Sequence, residues 1–322
     1  MSKKGLSRFW RVAPLVCCLI FLGEYREGMA APHEEAQTTP LLNAALRGDI
    51  VAMKALIKRG AKVTEESAYG NTPLHYTLHR MSTERRKGRI DAVTFLVNQG
   101  ANVNAKTRNG TTPLMEASDI GDTEAVDYLL SHGAIVDLKN TNGETALQFA
   151  ASRLYGDILE VLLAHGAKVN DTRNDAGQTP LIAAIAAVSE NTGTIHMPNH
   201  SIDEGQRRLI VSLLLQHKAD VNASDDSKWT AVALAADRGY ADICAELIRY
   251  GADVNVTVPG MGNETPLMMA ARRNSMPTVK ALMAAKPDLS KKDSSGRTAL
   301  SYASGNRNRE MSQLLLNAGA DR

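Results

Sequence analysis

Aromatic side chains are scarce in this 322-residue chain: Phe, Trp and Tyr together make up 4% of it. A single deep globular core normally draws on such bulk, so the shortage points to a thin, layered architecture filled by Leu, Ala, Val and Ile. Cysteine is nearly absent as well. Cys17 and Cys18 fall in the first thirty residues and only Cys244 lies beyond them, which excludes an intramolecular disulfide once that segment is removed. An excess of either charge is also lacking. Of 37 basic and 35 acidic residues, five and two fall in 1–30, leaving 32 and 33. That balance offers no basic stripe to release counterions from phosphates, so no nucleic-acid partner is expected. Catalytic signatures are missing too: there is no nucleophile elbow, phosphate loop, dinucleotide fingerprint or metal-binding helix motif. The chain reads as a non-enzyme without cofactor or metal.

The first thirty residues differ in kind from the rest. Lys3, Lys4, Arg8 and Arg11 precede an apolar run from Val12 to Gly23, and Gly28-Met29-Ala30 supplies small residues for cleavage. This is the layout of an export signal, with cleavage expected after Ala30 or Ala31. The run is short for a bilayer, which takes roughly 20 apolar residues. The expectation is a periplasmic or secreted product with no membrane contact after cleavage; an uncleaved anchor is the alternative.

What is abundant is repetition. Thr-Pro-Leu or a close variant starts at Thr39, Thr72, Thr112, Thr145, Thr179, Thr230, Thr265 and Thr298, at spacings of 33, 40, 33, 34, 51, 35 and 33. A Leu-rich stretch ending in Gly-Ala follows at Gly60, Gly100, Gly133, Gly166, Gly251 and Gly319. Thr caps a helix with its hydroxyl and Pro fits the first helical position, where no N–H is missed. A second amphipathic segment, such as Glu124 to Leu130, ends at a Gly suited to a left-handed cap, and a turn such as Asn142-Gly143 follows. Each unit therefore reads helix, turn, helix, hairpin. Alone it cannot bury both faces, so stability must come from stacking.

In Thr112-Pro113-Leu114-Met115-Glu116-Ala117, with Tyr128-Leu129-Leu130-Ser131-His132-Gly133-Ala134 behind it, the chain resembles the ankyrin repeat. The resemblance covers 38–322, after a short linker at 31–37. It implies an all-α repeat solenoid, a curved array of about eight helix-turn-helix units joined by β-hairpin loops. The last unit carries the polar set Ser301, Ser304, Asn306, Arg307, Asn308, Arg309, Glu310 and Gln313, as a capping face requires.

Departures from the pattern are informative. Lys218 and Lys286 replace the helix-ending Gly, and a left-handed Lys costs on the order of 1 kcal/mol relative to Gly. With Pro277 and Pro287 as well, the seventh unit is expected to be locally weaker or to have a rearranged hairpin. Insertions between the two helices fall near 80–89, where Thr83 to Arg89 is basic, and near 188–205, a polar stretch expected to be an exposed loop. Pro198 lies between His196 and His200 and breaks the helix that would bring them together, so no metal site is expected. His75 is expected to pack. His132, His165 and His217 recur at helix ends, where the dipole favours them. Cys244 aligns with Val126 and Leu159 and is expected in the core.

Ankyrin-like proteins grip protein partners with hairpin tips and the exposed ends of first helices, and this implies a binding surface by position. Tip positions hold Tyr69, Arg108, Asn109, Asp226, Trp229 and Met261, along with Glu144 and Glu264. Helix positions hold His79, Arg80, Asp119, Ile120, Arg153, Asp237, Arg238, Arg272 and Arg273. Trp229, Tyr69 and the arginines are the expected anchors, although Trp229 reads equally as a hairpin-packing residue. A monomeric scaffold for an unidentified protein partner is the expectation, with a secreted effector acting on another organism's proteins as the alternative.

Overall fold

Residues 39–79, 88–170, 174–187 and 204–321 are described in the computed structural model. The expected export signal and linker, Arg80, the basic run from Thr83 to Lys87, and His196 and His200 lie outside the described residues. Sixteen α-helices form eight pairs among the described residues: α1 (Pro40–Leu46) with α2 (Ile50–Lys58), α3 (Pro73–Leu78) with α4 (Arg89–Asn98), α5 (Pro113–Ile120) with α6 (Thr123–Ser131), α7 (Ala146–Arg153) with α8 (Gly156–Ala164), α9 (Pro180–Ala186) with α10 (Glu204–Gln216), α11 (Ala231–Arg238) with α12 (Ala241–Arg249), α13 (Pro266–Arg272) with α14 (Met276–Met283), and α15 (Ala299–Gly305) with α16 (Arg309–Asn317).

Every threonine of the motif opens the first helix of a pair. The hydroxyls of Thr39, Thr112, Thr145, Thr179, Thr230, Thr265 and Thr298 accept the backbone N–H three residues on, which satisfies a donor that the helix itself leaves free. At Thr72 the buried His75 completes the cap: its Nδ1 lies 2.9 Å from the hydroxyl and accepts the Thr72 N–H at 3.2 Å. The packing role expected of His75 is thereby explained.

The chain divides into two compact units, 1–101 and 102–322. In the first, α1 packs on α3 and α2 on α4. In the second, the first helices α5, α7, α9, α11, α13 and α15 stack in order, and the second helices α6, α8, α10, α12 and α14 stack beside them. This is an all-α repeat solenoid. Ala150, Ala151, Ala235 and Ala236 are fully buried, which lets neighbouring first helices approach, while Leu129, Leu162, Leu214, Leu247 and Leu282 fill the space between layers. Cys244 is buried among them, and burial pushes its thiol up to about 12.

Second helices end as expected. His132 and His165 place Nδ1 2.8 and 2.9 Å from the carbonyls of Tyr128 and Val161. Lys218 and Lys286 take the left-handed conformation at φ 64° and 51°. In other pairs the next residue closes the cap, as Ala134 does by donating to the Leu129 carbonyl and Ala252 to that of Leu247. Pro287 has no N–H and cannot. The seventh hairpin is nonetheless not rearranged: the Asp288 N–H donates to Asn255 and the Ser294 N–H to the Gly262 carbonyl, as their counterparts do in other pairs.

The hairpins contain no strands among the described residues, only the single bridges Ser224–Thr230 and Val258–Glu264. Their arms are too short for a ladder, and side chains close the turns instead. Asn140 Oδ1 accepts the N–H groups of Asn142 and Glu144, and Asp293 Oδ1 those of Ser295 and Arg297. Asparagines also stitch neighbours together. Asn104 accepts the Ile135 N–H and donates to the Gly133 carbonyl, Asn170 does the same with Asp220 and Lys218, and Asn222 with Asp253 and Gly251.

The two pairs with insertions end their first helices differently. Gly121 and Gly239 turn the chain in the left-handed conformation after α5 and α11. After α9 a side chain takes over. Arg207, 3% exposed, donates to the carbonyls of Ala184, Ile185 and Ala187 at 2.5, 3.1 and 2.7 Å and lies over the Tyr240 ring. Arg207 sits eleven residues before Lys218, and Arg89, also buried, sits eleven before Gly100. In the other pairs this place is the N-cap of the second helix: Asp49, Asp122, Tyr155, Tyr240, Ser275 and Asn308. Glu204 and Gly205, expected within the exposed loop at 188–205, belong instead to α10, and the rest of that stretch lies outside the described residues.

Candidate protein-binding surface

First helices leave two kinds of side chain at the surface, those near their C-terminal ends and those of the hairpin tip that precedes the next pair. Many of the charged ones are engaged with one another. Asp119 on α5 accepts Arg153 Nε of α7 at 2.7 Å, both half-buried. Asp237 on α11 accepts Arg272 Nη2 at 2.7 Å and Arg273 at 3.0 Å, both from the neighbouring pair. Arg272 also reaches back to Glu264 at 2.9 Å. Burial by itself would lower the Arg272 pKa, but Glu264 and Asp237 outweigh it and raise it.

Glu264, expected as an exposed tip contact, is instead a buried hub. The Tyr302 hydroxyl lies 2.8 Å from Glu264 Oε1 and 2.8 Å from Asp293 Oδ2, and Arg297 donates to the same Asp293 oxygen at 2.8 Å. Arg297 also covers the Tyr302 ring, with its guanidinium carbon 4.6 Å from the centroid. Burial and the two carboxylates push the Tyr302 phenol well above its ordinary value. No sequence signal marks this network, because its members come from the tips and helices of three pairs.

A second cluster is short of cations. Glu116 lies on α5 one turn before Asp119, and burial, followed by the Asp119 charge, pushes its carboxyl up to about 8. Glu144 is also raised, by burial first and then by Asp119 and Asp175, against hydrogen bonds from Asn140 and Asn142 that lower it.

The other expected contacts sort by exposure. Tyr69 is 56% exposed at its tip. Arg108 and Asn109 are exposed, and the Asn109 carbonyl accepts the Thr141 N–H at 2.8 Å. Asp226 is exposed, and its carboxylate lies so close over Gly177 that a Cβ there would come within 2.3 Å of Oδ1. His79 and Ile120 are half-buried at helix ends. Arg238 is half-buried and forms no ion pair among the described residues. Trp229 and Met261 pack, with Val256, against the cluster of Ala233, Val258 and Met269. Trp229 is thus a hairpin-packing residue, one of its two readings. Among the described residues no three His, Cys, Asp or Glu side chains converge as metal ligands, and no helix is long and apolar enough to cross a membrane.

A family model described as "Ankyrin repeats (3 copies)" matches residues 13–106, 78–173, 138–197, 171–258 and 259–322. The chain belongs to the ankyrin repeat family. Among similar proteins, Ankyrin repeat domain-containing protein 63 of Mus musculus is 34% identical over 101 residues, 31% of this chain and 22% of that protein. Alpha-latrotoxin-Lg1a of Latrodectus geometricus is 34% identical over 101 residues, 31% of this chain and 7% of the toxin. BCL-6 corepressor-like protein 1 of Homo sapiens is 33% identical over 129 residues, 40% of this chain and 7% of that protein. The shared stretch is thus a minor part of each relative. Ankyrin repeats point to protein–protein interaction, and the threonine caps and hairpin turns above are the family's scaffold at work.

Proposed function

We propose that the chain is an exported, non-enzymatic scaffold of eight ankyrin repeats that holds one protein partner on the hairpin tips and first-helix ends of pairs 3 to 7. The observation that carries this reading is the set of charged side chains at matching positions of the first helices of pairs 3, 4, 6 and 7, namely Asp119, Arg153, Asp237, Arg238, Arg272 and Arg273, with Ala186 and Ala187 at those positions in pair 5. Specificity resides in side chains, because the backbone there is occupied by its own helices and turns. Arg108, Asp226 and Arg238, which stand clear of the buried hub, are the contacts best able to exchange water for a partner. Neither nucleic acid nor a second copy is needed for this surface to work.

Crosslinking in the native compartment followed by mass spectrometry should recover a protein partner. Alanine at Arg108, Asp226 and Arg238 together should reduce its capture about tenfold or more while leaving the melting curve in place; unchanged capture removes this surface from the reading. The export component is tested separately, by fractionation and N-terminal sequencing. The isolated chain should begin at residue 31 or 32.

A further inference from the structure

The second helices present an aligned position nine residues before the helix-ending residue, occupied by Val51, Asp91, Glu124, Asp157, Leu209, Asp242, Pro277 and Glu310, all exposed. Five of the eight are carboxylates, as a helix N-terminus and water both favour. Pair 1 departs furthest. Val51 is 80% exposed, and Lys54, Lys58, Arg59 and Lys62 follow, all exposed, with no acidic residue between Ile50 and Val63. Leu209 and Pro277 are the other apolar exceptions, but Arg208 beside Leu209 is already paired with Asp242 and Glu246.

At the positions of Val51 and Lys54, pairs 3 and 4 carry carboxylates instead. Glu124 and Asp127 on α6 and Asp157 and Glu160 on α8 are all exposed. None of these four, nor Lys58, Arg59 or Lys62, forms an ion pair among the described residues, and Lys54 meets only the Phe95 ring, 5.7 Å away. Ile135, which occupies the position of Lys62 just beyond α6, is 55% exposed.

We infer that the α2 face of one copy docks on the α6–α8 face of a second copy. The two faces match when the helices run antiparallel. Lys58, Arg59 and Lys62 at the end of α2 then meet Glu124 and Asp157 in the first turns of α6 and α8, and Lys54 falls opposite Asp127 and Glu160. The distance from Val51 to Lys58 along the axis, about 10 Å, matches that from Glu124 to the end of α6, so Val51 is brought toward Ile135 and both leave water. The opposed helix dipoles add to the match. A contact of one helix on two is small, so the association is weak, reversible and sensitive to salt. It uses none of the side chains assigned to the protein partner and does not depend on that assignment.

Sedimentation velocity of the full chain as purified from its producing cells, over a range of concentrations, tests this directly. The sedimentation coefficient should rise with concentration at about 0.05 M salt, and the apparent Kd should weaken about tenfold or more by about 0.5 M. K54E/K58E/R59E/K62E and E124K/D127K/D157K/E160K should each sediment as monomers, with helical circular dichroism unchanged. Mixing the two variants should restore association, because the reversed α2 of one now faces the reversed α6–α8 of the other. A wild type that stays monomeric at low salt overturns the inference, as does a mixture that fails to associate. Salt-sensitive binding of a monomeric wild type to vesicles containing anionic phosphatidylglycerol overturns it too, and assigns the α2 face to a lipid surface.

Discussion

Pairs 3–4 and pairs 6–8 place charged residues at corresponding points of the same scaffold and do opposite things with them. In the later stretch Asp237, Glu264 and Asp293 are met by Arg272, Arg273 and Arg297, with Tyr302 bridging two of the carboxylates. In the earlier stretch Arg153 pairs with Asp119, and the neighbouring Glu116 and Glu144 carboxyls are pushed upward. The difference teaches that charge at an ankyrin binding position has two uses. Matched and buried, it locks neighbouring pairs together; unmatched and half-buried, it leaves a surface whose charge responds to its surroundings.

The comparison breaks most readily at Arg272. Arg272→Ala leaves Glu264 buried without its guanidinium, and urea denaturation should register a loss of about 3 kcal/mol; a loss below about 1 kcal/mol would show that the hub does not lock the pairs. Glu116→Gln comes next. A carboxyl raised in the folded state binds its proton more tightly there than in the unfolded chain, so its contribution is harmless below pH 4.5 and becomes a cost as pH rises through about 8. The substitution should stabilise the chain at pH 8.5 by on the order of 2 kcal/mol, the full shift being discounted for the solvent that reaches the side chain, and should change nothing at pH 4. Melting curves at the two pH values check the sign. Tyr302→Phe removes one hydroxyl but keeps both arginines in place, and should cost about 1.5 kcal/mol in the same urea assay. Arg153→Ala, at a pair more open to water, should cost no more than about 1 kcal/mol. If it costs as much as Arg272→Ala, the contrast between the two stretches disappears.

Much of the scaffold was legible because it depends on local chemistry. A threonine before a proline caps a helix whatever lies around it, and a glycine after a leucine-rich stretch ends one. Even Lys218 and Lys286 adopt the conformation that their alignment with glycine required. The site was less legible. Asp119, Asp237 and Arg272 were recognised as first-helix surface residues, yet their engagement with one another depends on partners about 35 residues away, and periodicity carries no information about whether charges at two aligned positions are complementary. Glu264 illustrates the limit: a tip position by alignment, it is buried because Tyr302, from the next pair, folds over it. Trp229 was ambiguous for the same reason, since the Val258 and Met269 against which it packs belong to a later stretch of sequence.

The guanidinium that closes α9 has an implication for how this molecule could be rebuilt. With Arg207 of α10 tying off the last carbonyls of α9, the end of one helix and the start of the next are held together by bonds to which no residue between Ala187 and Glu204 contributes. A sequence spliced between those two ends inherits the bonds, which makes the join between α9 and α10 the first place to attempt the graft of a foreign epitope or recognition loop.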